Sequence, residues 1–477
     1  MKPFASYTAL VSFLGLCGCA VGPDFQSPPA PAAQSYTRDT QPASTEAAGA
    51  AQTFIHADHA LPMWWTQFGS DALNRLVDTA LQQSPTLAQA QARLTEAREN
   101  YVADAGATQY PAIDANLSTT RQKVDLNSFG ITSVPSPGAF TIYNASLSVS
   151  YALDIFGGNR RALEGLMAEV DYEAYELEAA RLSLAGNVVA TAIRRASLQK
   201  QIDLTERLAD TQAHQLSIIE QRFAAGGVSE LDVRSQRTLV AQTRATVPPL
   251  STQLAQADHQ LAILLGSAPS EAGFDDITLD SLHLPATVPV TLPSTLAHER
   301  PDIRASEALL HQASANVGVA TANLYPQFVI SAGIGSERTR MADVLSGMNI
   351  WNIGLNLTQP LFRGGELHAK KRAAQADYDA ALAGYRQTVL QALQQVADAL
   401  QAVNNDARTL SKRSDAQQEA QASLVIAQAQ YAAGGVSQFS LLDTQRSALQ
   451  TALDQSRAQA DRLSDTAMLF QSLGRAW

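Results

Sequence analysis

The residues of this chain that could do chemistry are few. Glu230, Asp232 and Asp443 cluster within about three helical turns of two glycine pairs, Gly226-Gly227 and Gly434-Gly435. Taken alone, Asp443 reads as a solvated helix-end charge, since exposed charges mostly contribute little. The eight histidines, among them His56, His59, His214 and His259, show no metal-type or triad-type spacing. Neither the two glycine pairs nor Gly364-Gly365 has the lysine or strand context of a phosphate-binding loop. Six methionines without a Met/His/Cys cluster argue against a soft-metal site. No catalytic, cofactor-binding or metal-binding set is expected, and the chain does not read as an enzyme.

Both cysteines, Cys17 and Cys19, lie at the very start, so the mature body is expected to hold no disulfide and no thiol chemistry. Lys2, an apolar stretch and small residues before Cys19 form a secretory signal peptide over residues 1–18. Leu16-Cys17-Gly18-Cys19 resembles a bacterial lipobox, in which cleavage leaves an acylated cysteine as the new N-terminus. Gly18 suits that signal better than Leu16 does, so Cys19 is the expected lipid anchor. Ala20 after it fits the usual sorting pattern for the outer membrane. Residues 19–60 then read as a lipidated N-terminus and flexible tether, because Gln26 to about Gln52 is mostly Pro, Ala, Ser and Thr.

The glycine pairs belong to a larger pattern. Phe223 to Ser229 spells FAAGGVS and Tyr431 to Ser437 spells YAAGGVS, about 208 positions apart. Each is followed by a Gln-Arg pair (Gln236-Arg237, Gln445-Arg446) and a helical run ending at Leu-Gly (Leu265-Gly266, Leu473-Gly474). Tyr110-Pro111 is echoed by Tyr325-Pro326, Val170-Asp171-Tyr172 by Ala376-Asp377-Tyr378, and Ser84-Pro85-Thr86 by Arg300-Pro301-Asp302. Ordered matches at a near-constant offset mark an internal tandem duplication of roughly 200 residues. The expected division is a first repeat at 61–266, an inter-repeat segment at 267–293, a second repeat at 294–474 and a tail at 475–477.

The elements that must position the tips follow from periodicity. A helical pattern runs from near Asp71 towards Gln109, with a break at Ser84-Pro85. Ala112 to Arg121 and Ile142 to Leu153 alternate, with a Gly/Pro/Ser-rich loop (Asn127 to Ala139) between them; this predicts a hairpin at about 110–155. Phe328 to Glu337 and Ile350 to Leu357 predict another at about 325–362. One side of each strand is apolar and the other small or polar, as between hydrocarbon and water. A soluble sandwich strand reads the same way locally. Four strands do not close a barrel, so they pair with other elements or several copies share one barrel.

From Gly158 to Ala225 no proline interrupts a helical pattern about 100 Å long. Ile202, Ala209, Leu216 and Phe223 fall at seven-residue steps, the spacing of close coiled-coil packing, although an ordinary antiparallel bundle shares it. Pro248-Pro249 should break the return helix. Gly226-Gly227 and Gly434-Gly435 are expected to supply positive φ at the reversals, with Ser229 and Ser437 capping the outgoing helices. A net charge of −11 with no basic stripe argues against a nucleic-acid partner. No window is long and apolar enough for a transmembrane helix, so any membrane entry is by strands.

These residues add up to a family likeness. Cys19-Ala20-Val21-Gly22-Pro23-Asp24-Phe25, Trp64-Trp65 with Phe68-Gly69 and Ala72-Leu73, and Gln359-Pro360-Leu361-Phe362 before Gly364-Gly365 carry it. Together with the proline-led helix starts, they resemble outer-membrane factors of tripartite efflux pumps, the TolC/OprM-like channels and their NodT-type lipoproteins. The resemblance covers essentially the whole chain from Cys19.

It implies an α+β, mainly α fold and a homotrimeric channel. Three copies would share a twelve-stranded transmembrane β-barrel, four strands from each, continued by a long periplasmic α-helical barrel. It implies a passive exit duct for solutes or drugs, anchored in outer-membrane lipid and extending into the periplasm. An inner-membrane pump of the resistance-nodulation-division type would supply energy. A periplasmic adaptor would contact the tips, Gly226, Gly227, Val228 and Ser229 with Gly434, Gly435, Val436 and Ser437. By the same resemblance Asp443 rings the periplasmic constriction, Phe439 forms its apolar ring, and Asp232 bonds Tyr431 between neighbouring hairpins. Val436 stands where some members have a latch arginine, for which Arg222 or Arg234 would substitute. Competing readings are a duct for type I protein secretion or metal export, and, in another class, a trimeric coiled-coil surface or structural lipoprotein.

Overall fold

A computed structural model describes residues 20–38, 41–45, 51–271 and 273–474. The signal peptide, Cys19 and the tail at 475–477 lie outside the described residues. In chain order the elements are β1 (Thr53–His56), α1 (Asp71–Gln83), α2 (Pro85–Gln109), β2 (Ala112–Gln122), β3 (Phe140–Leu153) and α3 (Gly158–Ala224). There follow α4 (Glu230–Ala245), α5 (Val247–Leu264), β4 (Thr287–Val290), α6 (Pro293–Glu299) and α7 (Pro301–Ala322). The chain ends with β5 (Gln327–Arg338), β6 (Ile350–Thr358), α8 (Glu366–Ala432) and α9 (Gln438–Leu473). The fold is α+β and mainly α, and the four long strands fall where alternation placed them.

Prolines set several boundaries. Ser84 is extended (φ −63°, ψ 123°) because the ring of Pro85 disfavours helical geometry before it, and α1 stops there. Pro248-Pro249 act one residue differently from a mid-helix break. They sit in the first turn of α5, where amide hydrogens have no helical acceptor, and the interruption falls at Thr246.

The chain forms two compact units. The first comprises 20–28, 94–173 and 306–385. It holds an antiparallel sheet in the order β2-β3-β5-β6. The register aligns apolar residues in rows across all four strands: Ile113 faces Val149, Val149 faces Ala332, and Ala332 faces Ile353. The next row runs Ala115, Leu147, Ile334 and Trp351. The opposite face carries Asn116, Ser148, Gly333 and Asn352, with Asn116 Nδ2 donating to Ser148 Oγ over 3.0 Å. Much of the apolar face is bare: Leu117, Trp351 and Ile353 are each more than 70% exposed. Among the described residues, β2 and β6 each have a strand neighbour on one side only.

Within the segment expected to be a lipidated N-terminus and flexible tether, the described residues make specific contacts. Val21 N donates to Phe156 O, and Gly22 approaches Gly318 so closely that a Cβ on Gly22 would lie 2.5 Å from Gly318 Cα. Arg161, 6% exposed, reaches Asp24 at 2.6 Å and Glu164 at 2.7 Å, and Phe25 stacks on His311. Composition reads as a tether only from Gln26 onward; ahead of it, close backbone approach and the ion pair from exposed Asp24 to buried Arg161 hold residues 21–25.

The second unit comprises 29–93, 174–305 and 386–474. The extended N-terminal chain is tied down in it as well. Tyr36 Oη donates to Thr291 O, and β1 pairs in parallel with β4. Trp64, Trp65 and Phe68 are fully buried, with Trp64 stacked against Phe470. Leu198, Ile202, Leu250 and Ala257 form the apolar seam between α3 and α5. Among the described residues no helix is long and apolar enough to cross a membrane.

Candidate functional site

Each glycine pair ends a long helix in the same way. Gly226 N bonds Phe223 O and Gly227 N bonds Arg222 O; Gly434 N bonds Tyr431 O and Gly435 N bonds Gln430 O. These two bonds form the Schellman closure, which occupies helix-end carbonyls that would otherwise lack partners. It needs one left-handed residue, and only the first glycine of each pair supplies it (φ 73° at Gly226, 78° at Gly434). The expectation of positive φ at Gly227 and Gly435 is therefore corrected. Their lack of a side chain matters sterically instead, since a Cβ on either would stand 3.4 Å from the carbonyl its amide bonds.

Val228 and Val436 follow, part-buried, and then the caps. Ser229 Oγ accepts from Asp232 N, while Asp232 accepts from Ser229 N (3.0 Å) and Ser229 Oγ (2.7 Å), a reciprocal capping box. Ser437 Oγ accepts from Ser440 N. The Asp232 carboxylate is thus engaged on its own helix, and no hydrogen bond joins it to Tyr431 within the chain. Tyr431 packs instead on Leu424, Ala427, Leu441 and Ala448, with the Arg222 guanidinium 5.8 Å from its ring centroid. Arg222 belongs to the first tip and Tyr431 to the second. Arg234, the other substitute for the missing latch arginine, pairs with Glu230 at 2.5 Å on its own helix.

Phe439 and Asp443 lie one helical turn apart and so on one face of α9. Phe439 is 78% exposed, and exposed Asp443 pairs with Arg446 at 2.7 Å. Leu231 (73%) and Phe223 (44%) are also bare at the first tip. Apolar side chains of this size left in water around a turn mark a contact surface.

Periodicity missed what joins the two tips. The buried stripe of α3 alternates Ile202 with Thr205 and Ala209 with Gln212 before Ile219, while Leu216 is only part-buried. The intervening core positions are polar. On α4 and α9 the matching buried residues are Gln236, Gln438 and Gln445. Gln438 Nε2 donates to Gln236 Oε1 and Gln236 Nε2 to Gln212 O, both at 2.9 Å, and Gln445 Nε2 donates to Gln215 Oε1. The first member of each repeated Gln-Arg pair thus faces the seam. The arginines face outward, Arg237 to Glu220 and Arg446 to Asp443. A buried amide deprived of its partner costs about 1–3 kcal/mol. Gln236→Ala is accordingly expected to speed amide hydrogen exchange in both α4 and α9, whereas exposed Thr238→Ala should not. Equal exchange in the two variants would remove the seam's role.

Comparison with known proteins agrees with this architecture. A sequence profile described as "outer membrane efflux protein" matches residues 76–267 and 292–475, one segment per repeat. The chain is 32% identical over 418 residues to the pyoverdine export outer membrane protein OpmQ of Pseudomonas aeruginosa, covering 87% of each. It is 30% identical over 477 residues to the solvent efflux pump outer membrane protein SrpC of Pseudomonas putida, covering 98% of this chain and 97% of that one. The solved outer-membrane channel OprN superposes with a TM-score of 0.85 at 29% identity, over 96% of this chain and all of that one.

Proposed function

The chain belongs to the outer membrane efflux protein family, and from that premise we propose that three copies assemble into one exit duct. It is an outer-membrane efflux component, not an enzyme. The observation that carries the assembly is the sheet. Its apolar face runs unbroken across four strands, and both edges lack a neighbour among the described residues. In hydrocarbon every backbone N–H and C=O must be bonded, so open edges are excluded there. Placing β6 of one copy beside β2 of the next satisfies both edges. Three copies then close twelve strands with the apolar face towards lipid and Asn116, Ser148 and Asn352 towards water.

The gate in this reading is the tip region. Phe439 and Asp443 face the axis, where three phenylalanines narrow the passage and three carboxylates favour cations. The Arg222–Tyr431 contact ties the two tips in place of the Tyr431–Asp232 bond. Asp232 serves the hairpin by capping α4. A periplasmic adaptor docks on the bare apolar residues of the tips, including Leu231 and Phe223, and shifts the gate by binding the open arrangement better. An inner-membrane pump of the resistance-nodulation-division type drives transport, and small organic solutes are the cargo. Cys19, acylated, anchors the assembled channel.

Single-channel conductance in planar bilayers tests the gate. Phe439→Ala and Asp443→Ala are each expected to raise resting conductance several-fold over wild type, and Asp443→Ala to weaken cation preference. Unchanged resting conductance in both variants would sink this reading.

A further inference from the structure

The loop between β5 and β6 does not extend away from the sheet. It turns through Met341–Asp343 and folds back, so that Val344 is only 3% exposed and Ser336 is buried. Its base is fixed by Asn349, which accepts from Glu337 N over 2.8 Å and donates to Glu337 O over 3.0 Å. Between loop and sheet lies a crevice of about 440 Å³, with Leu117, Ala145, Leu147 and Ile334 on the sheet side and Leu345 and Met348 on the loop side. The strand register puts those four sheet residues on the apolar face. The crevice is therefore continuous with the surface that faces lipid.

Two further observations say what occupies it. Leu345 is 92% exposed and Met348 65%, side chains that a loop bathed in water would bury. Beyond the crevice, at the end of the strands remote from the helices, two guanidiniums project from the same face. Arg338 stands opposite Tyr143, and Arg121 opposite Thr141. Ladder spacings put their Cα atoms about 12 Å apart. Arg338 Nη2 also donates to Gly347 O at 3.3 Å, holding the loop. Glu337 falls on the opposite face by alternation, and Asp343 is the single carboxylate of the loop.

An apolar slot topped by two separated cations fits an anionic amphiphile with two phosphates. We propose that this crevice binds the phosphorylated glycolipid of the outer leaflet, one acyl chain lying under the loop and the phosphates on Arg338 and Arg121. The inference rests on the outer-membrane strand reading above, which places the loop end of the sheet in that leaflet. Phosphatidylglycerol offers acyl chains but one phosphodiester, and so engages one guanidinium.

Native mass spectrometry of the detergent-purified full-length protein tests it, with bisphosphorylated lipid A added as probe against phosphatidylglycerol. Wild type is expected to retain one lipid A per chain at concentrations where phosphatidylglycerol is lost. The pair Arg121→Gln/Arg338→Gln, and separately Ala145→Phe, which fills the slot, should each weaken retention about tenfold. Because Ala145→Phe acts within the sheet, Leu345→Ser in the exposed loop provides a second variant, expected to weaken retention several-fold. Equal retention of both lipids by wild type, or unchanged retention in the arginine pair and Leu345→Ser, overturns the proposal. A protein that gates normally in bilayers but holds no lipid A overturns the crevice alone.

Discussion

Arginine at Ile353 is expected to remove most of the protein from the outer membrane, whereas arginine at Asn356, three residues on, leaves it there. Both positions lie on β6, and the pleat sends them to opposite faces. Ile353 is 73% exposed in a row with Ala332, Val149 and Ile113 near the middle of the sheet. A charge on the lipid face near mid-membrane costs about 2–4 kcal/mol, and an assembly of three copies meets that cost three times. Asn356 pairs with Val329 on the other face, where a guanidinium stays in water and changes only the charge of the passage. Heat-modifiable trimer in outer-membrane fractions measures the outcome, with conductance of the Asn356→Arg channel as the second readout. Equal assembly of the two variants would mean that the apolar face does not meet lipid.

Thermal stability of the wild-type protein is expected to fall as pH rises from 5 to 8, and Asp406→Asn to abolish most of that fall. Arg462 on α9 is fully buried and donates to Thr45 Oγ1 over 3.2 Å. Part-buried Asp406 on α8 faces it beside Asp465 and Asp461. Burial, reinforced by a hydrogen bond to Asp465 and by the charges of Asp465 and Asp461, pushes Asp406 up to about 7, against a smaller downward pull from Arg462. Asp461 is raised too, by burial and then by Asp465, against the pull of Arg457. In the folded state the Asp406 carboxyl keeps its proton up to about pH 7, while in the unfolded chain it releases it near pH 4. Between those values the folded state binds more protons, so its stability declines with rising pH and levels off above 7. An amide cannot ionise and avoids the decline. With solvent screening allowed for, the variant should gain up to about 2 kcal/mol at pH 8. Circular-dichroism melts at pH 5, 6, 7 and 8 measure it. A wild-type melting temperature that is flat, or that rises with pH, contradicts the assignment.

Much of the scaffold was legible because it obeys one local rule. Alternation located β2, β3, β5 and β6 to within a residue or two, and uninterrupted helical sequence located α3 to within one. The candidate site was legible only in part. The duplicated glycine words pointed to the tips. Yet the same patterning, which weighs apolar residues, passed over Gln212, Gln236, Gln438 and Gln445 at the centre of the seam. Their burial follows from neighbours on other helices, a signal absent from any single window. The repeated Gln-Arg pairs were the trace that pointed to two of them. The Tyr431–Asp232 pairing was carried by likeness alone, whereas in the chain the reciprocal cap with Ser229 engages Asp232 and Arg222 lies over Tyr431.

By itself the amino-acid sequence determined the duplication, the kind and order of the long elements, the two-faced strands and the glycine-ended helices. Each depends on residue type and on spacings of two, three, four or seven. Only the tertiary structure decided which partners meet. Parallel pairing of β1 with β4, the close pass of Gly22 over Gly318, the glutamine seam and the folded-back loop over the apolar face all join segments far apart in the chain. Such contacts form because backbones approach closely and polar groups leaving water must find partners, and neither condition has a sequence period.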